Sequence, residues 1–389
     1  MPEIQDIFSS LKPSSLSLEQ NKAFYSIRNC RTDQLGSHVD RCDSCKNITI
    51  SYNSCRNRHC PKCQGSKQKE WVQAQLSKLL PVGYFHLVFT LPHELNTLFL
   101  QNQKLLYPLL IKSAGDTITE LAKDPKYLGA QTGVTAVLHT WGQNLSFHPH
   151  VHCIVPGGGL SLDGLKFKTS SKKFFLPVKV LSRKFRGKFL FYLKKAWNEG
   201  KIKLFNEAKD LAHGFNFLDF HDRLYTKEWV VHAKKPFKSP WHVINYLGRY
   251  THKVAISNSR IISFDGTKVN FKWKDYKDKN RLKVMTLDTS EFVRRFMLHV
   301  LPLGFTRIRH YGILSSRNIS VKLALCSKLL SKSTGIKAAV PEMTKYVKVC
   351  PGCGGTMVFA GLIDKATNLD ALTNMCTSIN TAYRASSVP

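Results

Sequence analysis

The chain of 389 residues carries 58 Lys and Arg against 26 Asp and Glu, a formal charge of +32 with pI near 9.8. An apolar share of 43% is that of an ordinary globular protein, and the length allows two or three domains whose cores need no disulfides. Self-repulsion on this scale calls for a polyanionic partner, nucleic acid ahead of an anionic membrane surface.

The N-terminal stretch MPEIQDIFSS is polar and acidic, and no apolar segment follows a basic start. No run approaches the roughly 20 apolar residues of a membrane span. A cytoplasmic location, beside the nucleoid, is therefore expected, with the eleven cysteines as thiols. Six of them form the C-x-x-C pairs Cys42/Cys45, Cys60/Cys63 and Cys350/Cys353, which in a reducing compartment point to metal. No GxxxxGK[ST] phosphate loop occurs, so the chain encodes no helicase or ATPase of its own.

In chain order, residues 1–29 read as a polar lead and a short helix. Residues 30–65 are dense in Cys, His and Arg, and a polar helical stretch then runs to about Leu80. Tyr84–Leu91 reads as a strand closed by Pro92, and Asn96–Ala122 as one amphipathic helix. Gly133–Trp141 and Val151–Val155 read as two further strands. Lys166–Lys188 interleaves basic residues with Phe167, Phe174, Phe175 and Phe185, which suits either single-stranded nucleic acid or a basic surface over ordinary core phenylalanines. Glu228–Val231 reads as a short strand. Ser239 and Pro240 open a helix to about His252. Ile261–Phe264 and Val269–Trp273 flank the turn Asp265-Gly266, and Glu291–Val300 is amphipathic. The tail after Gly355 is polar and carries no motif. The reading divides the chain into a zinc-binding module (1–80), a catalytic unit (81–320) and a C-terminal segment (321–389).

Cys42/Cys45 and Cys60/Cys63 flank a short polar loop, and two C-x-x-C turns complete a tetrahedral zinc site, so these four are expected to share one structural Zn²⁺. Cys30, His38, Cys55 and His59 are candidates for a second zinc. His59 has the alternative of touching phosphate beside Arg56 and Arg58. Cys350/Cys353 looks like half a zinc knuckle that would join another part of the fold.

His148-Pro-His150-Val-His152 begins a strand. Alternation puts His150 and His152 on one face and Val151 on the other. Two neutral imidazoles side by side suit a divalent metal. On the preceding strand His139, Trp141 and Gln143 share one parity; Gln143 is the preferred third ligand, because an oxygen donor suits Mg²⁺ or Mn²⁺, and His139 is the second choice. Downstream, Tyr246 and Tyr250 are i and i+4 on one helical face, about 6 Å apart along the axis. Two phenols near a metal-bound phosphate allow two consecutive strand cleavages, each conserving the phosphodiester energy in a covalent bond.

These strings together resemble a known family. HPHVHC resembles the His-hydrophobic-His (HUH) motif of rolling-circle nucleases. YLGRYTHKVAISNSRI resembles the two-tyrosine segment of insertion sequence 91 family transposases, and SCRNRHCPKCQ their zinc-binding domain. FTLPHEL, EFVRRFMLHVLPLGFTRIRHYG and CPGCGG are similar to further blocks, over roughly residues 20–355. The resemblance implies an α+β fold: an HUH-nuclease-like antiparallel sheet with flanking helices, preceded by a small zinc-binding domain. It implies rolling-circle transposition through single-stranded DNA at transposon ends and target, with Tyr246 and Tyr250 as nucleophiles and His150 and His152 as metal ligands. Arg56, Arg58, Arg249 and Lys253 are the expected DNA contacts, and a host helicase is an expected partner. A plasmid replication initiator, a relaxase, a tyrosine recombinase and a non-catalytic zinc-dependent DNA-binding protein are the competing readings.

Overall fold

The computed structural model describes residues 2–76, 78–170, 176–237, 248, 255–276, 278–334 and 347–363. Helices α1 (Ile4–Ser9) and α2 (Leu18–Arg28) lead into the hairpin of β1 (Ser37–Cys42) and β2 (Ile48–Tyr52), then α3 (Pro61–Leu76) and β3 (Tyr84–Thr90). There follow α4 (Asn96–Gln101), α5 (Gln103–Lys123), β4 (Ala130–Gln131), β5 (Gly133–Trp141), β6 (Phe147–Pro156), β7 (Gly158–Ser161) and β8 (Phe167–Thr169). The remainder is α6 (Val178–Asn198), α7 (Gly214–Thr226), β9 (Val231–Phe237), β10 (Ile261–Phe264), β11 (Lys268–Asp275), β12 (Arg281–Asp288), α8 (Thr289–Met297), β13 (Ile308–Gly312), α9 (Ile319–Thr334) and β14 (Met357–Ile363).

Five strands form the central sheet in the order β13-β5-β6-β3-β9, every neighbour antiparallel. The α+β architecture read from the sequence is the one formed. Strand alternation gives this sheet two unlike faces. Phe85, Leu87 and Phe89 of β3, Val134, Ala136 and Leu138 of β5, and Val151, Cys153 and Val155 of β6 all enter one core with α5 and α6. Phe185 and Phe189 of α6 are fully buried there, Phe185 edge-on to Phe89 and Trp229. Each such ring stabilises the fold by roughly 2–3 kcal/mol through burial. The opposite face carries Tyr84, His86, Thr135, His139, His150, His152 and Ile154, and there α3 covers Tyr84 and Ile154 with Trp71, Val72 and Leu76.

The N-terminal helices are not a separate layer. Helix α2 starts with a capping box: Ser17 Oγ accepts from the Gln20 backbone N–H, and Gln20 Oε1 accepts from that of Ser17. Phe8 stacks on Phe24 at 4.8 Å and meets Phe296 of α8 edge-on, in a core shared with Ile261, Val269, Phe271 and Phe292. Strand β14 pairs with β1 from Cys42↔Met357 to Ser37↔Ile363, so the order in this second sheet is β14-β1-β2. The tail expected to carry no motif thus adds a strand to the N-terminal module.

Some predicted elements change. The single helix over 96–122 breaks at Asn102, whose buried side chain binds the carbonyls of Leu98 and Lys203 and the Lys203 N–H. A side chain that satisfies the backbone in this way competes with helix continuation. The strand expected at Glu228–Val231 begins at Val231, because Trp229 turns into the core and its indole donates to the Leu224 carbonyl. Strand β12 was not foreseen; it is mainly exposed, Leu282 and Val284 included, and only Met285 and Leu287 pack against a core. Of the basic–aromatic stretch, Phe185 is core, and Lys184 and Lys188 pair with Glu120. Phe174 and Phe175 lie outside the described residues.

Candidate active site and zinc-binding module

On the α3 side of the central sheet, β5 and β6 place His139 directly opposite His150, and Val137 opposite His152. The result is a group of three imidazoles, His139, His150 and His152, whose nearest ring nitrogens all lie within 4.8 Å of one another. His150 Nε2 and His152 Nε2 are 3.1 Å apart. His150 Nδ1 lies 2.7 Å from the His148 carbonyl, which can only accept, so this nitrogen carries the proton and Nε2 keeps its lone pair. His152 Nδ1 meets His86 Nε2 of β3 at 2.8 Å, with the rings stacked. His86 was missed in the sequence, although Tyr84, His86 and Val88 share one parity in the strand read at Tyr84–Leu91.

Burial holds His152 and His86 neutral. Desolvation, followed by neighbouring His139, His150, His86 and Lys234, holds His152 well below the usual imidazole range. Desolvation and Lys234 push His86 down to about 3. Neutral imidazoles at pH 7 keep their lone pairs for a cation. Gln143, the preferred third ligand, is not brought to this group. The strand register shifts between His139 and Trp141, the hairpin tip follows, and the Gln143 amide donates to Tyr276 Oη at 3.1 Å. His139 takes the place beside the pair.

Tyr246, Tyr250, Arg249 and Lys253 lie outside the described residues. Gly248, between the two tyrosines in sequence, is helical and buried, and it seats against Val72 and Gln68 of α3. Val72 belongs to the same helix face that covers Tyr84 and Ile154.

The thiols gather differently from the expected grouping. Cys30, Cys55, Cys60 and Cys63 form one group, and Cys42, Cys45, Cys350 and Cys353 another. Pairing Cys42/Cys45 with Cys60/Cys63 fails because β2 lies between them. Its five extended residues carry the chain roughly 17 Å away. In the first group Cys30 and Cys55 lie 3.5 and 3.6 Å from Cys63 Sγ. A tetrahedron with Zn–S of about 2.3 Å has S···S edges of roughly 3.8 Å, so the donor set fits zinc. Their mutual hydrogen bonds split the thiols, holding Cys30 down to about 2 and pushing Cys55 up, since four adjacent thiolates need a cation.

Neither histidine proposed for a second zinc joins the thiols. His38 Nδ1 bonds Asn53 at 2.9 Å, and His59 Nε2 accepts from the Leu301 N–H at 3.3 Å. Burial, then Arg58 and Arg307, pushes His59 down to about 3, which leaves it no charge for phosphate. The Arg58 guanidinium, expected at DNA, donates here to the carbonyls of Phe305, Leu301 and Pro302. Arg56 is exposed.

Comparison with known proteins agrees with this layout. Residues 3–91 match the family described as "Transposase zinc-binding domain", and residues 133–320 the one described as "Putative transposase". The "Putative transposase y4qJ" of Sinorhizobium fredii is 44% identical over 94% of this chain and 96% of its own. The chain belongs to the insertion sequence 91 family of transposases. A second relative of this transposase, the "Transposase for insertion sequence element IS801" of Pseudomonas savastanoi pv. phaseolicola, is 28% identical over 88% of this chain and 84% of its own. No solved structure matches it significantly. As a transposase it is a DNA-processing enzyme, and its zinc-binding match spans the whole of the first thiol group. Among the described residues no helix is long and apolar enough to cross a membrane.

Proposed function

We propose that this transposase cuts and rejoins single-stranded DNA in rolling-circle transposition, with Tyr246 and Tyr250 as nucleophiles beside a divalent cation held by His139, His150 and His152. The observation that carries the reading is the convergence of three imidazoles on the covered face of an antiparallel sheet, with His152 held neutral by burial. Binding through His152 Nε2 requires Nδ1–H to donate to His86 Nε2, so His86 fixes the tautomer and orients the ring. A set of imidazoles without a carboxylate disfavours Mg²⁺, which takes oxygen ligands, and leaves Mn²⁺ the better of the two expected ions. When bound, the ion would polarise the scissile phosphate and offset its developing charge.

Tyrosine Oη attacks phosphorus, its proton passes to a base or water, and the bond from phosphorus to the 3′-oxygen breaks. The products are a 5′-phosphotyrosine and a free 3′-hydroxyl. Reversal by another 3′-hydroxyl rejoins the strand without ATP. Gly248, buried on α3 between the two tyrosine positions, supports a tyrosine segment on the histidine face. The charge of +32 supports a phosphate-dominated interface, whose affinity would fall steeply with salt. A host helicase would supply the single strand.

The test is incubation with labelled single-stranded DNA from the element's end, with and without Mn²⁺. The expected result is a covalent adduct on a denaturing gel that needs the metal and is lost in the Tyr246→Phe/Tyr250→Phe double variant. A metal-independent adduct, or one that survives in the double variant, would overturn the proposal.

A further inference from the structure

Residues from both ends of the described chain form a second four-sulfur group, in which Cys42 and Cys45 lie within the segment matched as a zinc-binding domain and Cys350 and Cys353 far beyond it. Cys42 Sγ lies 3.5 Å from Cys353 Sγ, and Cys45 Sγ 3.7 Å from Cys350 Sγ. These spacings are far too long for a disulfide of about 2.05 Å and close to the roughly 3.8 Å edge of a zinc–thiolate tetrahedron.

The two C-x-x-C turns have the same local construction, although one lies near residue 45 and the other near 350. The Cys42 N–H donates to the Asn47 carbonyl at 2.8 Å, and the Cys350 N–H to the Gly355 carbonyl at 2.8 Å. The residue after each second cysteine adopts the left-handed conformation, Lys46 at φ 61° and Gly354 at φ 76°. Lysine tolerates this because its ammonium donates to the Asp43 carbonyl at 2.6 Å. Each turn also tips a β-hairpin, β1 with β2 for the first, the Val349↔Thr356 bridge and β14 for the second.

The turns are tied to each other beyond the thiols. The Asp43 N–H donates to the Thr356 carbonyl, and the Thr356 N–H donates back to Asp43 Oδ1. Gly355 sits so close to the first turn that a Cβ there would meet Ser44 Oγ at 2.6 Å and Cys42 Sγ at 3.0 Å. Lys348 Nζ pairs with Asp40 at 2.5 Å. Two matched knuckles with sulfurs facing across a shared sheet are a built four-thiolate site, with two thiols buried and two exposed.

We propose that Cys42, Cys45, Cys350 and Cys353 bind a second structural zinc ion, which staples the C-terminal hairpin onto the N-terminal module. The site is closed, with four sulfurs and no position for substrate, so its role is to hold β14 against β1. This rests on the thiol geometry alone and stands or falls independently of the nuclease reading.

The test uses the full chain with its zinc exchanged for Co²⁺, because sulfur-to-cobalt charge-transfer absorption counts thiolate sites and is silent for the histidine group. The wild type is expected to show twice the thiolate–cobalt intensity of the Cys350→Ser/Cys353→Ser variant, which keeps the Cys30/Cys55/Cys60/Cys63 site. Cys42→Ser alone should also halve the signal, and hydrogen exchange in the same variants should rise in β1 and β14 while β5 and β6 stay protected. If the serine variants prove poorly folded, zinc-edge absorption and metal analysis of the untouched wild type decide. Two zinc ions in all-sulfur shells sustain the proposal. One all-sulfur zinc per chain overturns it, as does an undiminished cobalt signal in Cys350→Ser/Cys353→Ser.

Discussion

Replacing Gly248 with alanine sets two effects against each other. Helix propensity alone would stabilise the chain by about 1 kcal/mol. Here, however, the new methyl would meet Val72 Cγ2 at 2.5 Å and Gln68 Nε2 at 3.2 Å. Gln68 is long and can swing aside, whereas the Val72 methyl sits one bond from a stiff χ1 and is packed toward Tyr84 and Ile154. Overpacking of this kind costs roughly 1–3 kcal/mol, so clash outweighs propensity and a net loss of about 1 kcal/mol is expected. Val72→Ala removes the colliding methyl, so the double variant should be more stable than the sum of the single changes by about 1–2 kcal/mol. Urea denaturation of the four proteins, followed by tryptophan fluorescence, measures the cycle, and adduct yield measures whether the segment between the tyrosines has moved. A Gly248→Ala protein more stable than wild type, with Val72→Ala simply additive, would refute the seat on α3.

Other perturbations test separate links. His139→Ala should weaken Mn²⁺ binding at least tenfold by calorimetry, while Gln143→Ala should leave it unchanged; His86→Phe should cost roughly 10–100-fold as an orienting partner is lost. Arg58→Lys should lower stability by roughly 2 kcal/mol, because one ammonium cannot serve the three carbonyls of the Leu301–Phe305 turn, while the salt slope of DNA binding should not change. Phe185→Ala should cost roughly 3–5 kcal/mol in the same denaturation assay. Arg294, then Arg295, hold Glu291 down to about 2. Because the folded carboxyl is depressed, its stabilisation is complete above about pH 4.3 and disappears as pH falls through 2. Glu291→Gln should therefore cost roughly 0.5–1 kcal/mol at pH 7, after discounting for solvent screening, and almost nothing near pH 2.

Strands of the central sheet were legible because alternation and turn residues act locally. Gly133–Trp141 emerges with its predicted bounds, and the Asp265-Gly266 turn joins the strands it flanks in sequence. The pairing of His150 with His152 follows from the same period of two. What escaped is non-local. Choosing between His139 and Gln143 depends on a register shift three residues before the hairpin tip, and periodicity does not encode it. The grouping of the thiols depends on where β2 carries the chain, and on a partner turn 305 residues away. Arg58 and His59 looked like phosphate ligands because charge is visible in a sequence, whereas the carbonyls of a distant turn that absorb their hydrogen bonds are not.

The pairing of β1 with β14 also orders events in time. A ribosome adding about 5–20 residues per second needs roughly 15–60 s to travel the 305 residues from Cys45 to Cys350. Throughout that interval β1 has one edge unpaired and the first knuckle lacks its counterpart. A module made early is therefore among the last to be completed, and a nascent chain cannot present the finished β14-β1-β2 sheet until its distal hairpin has been made.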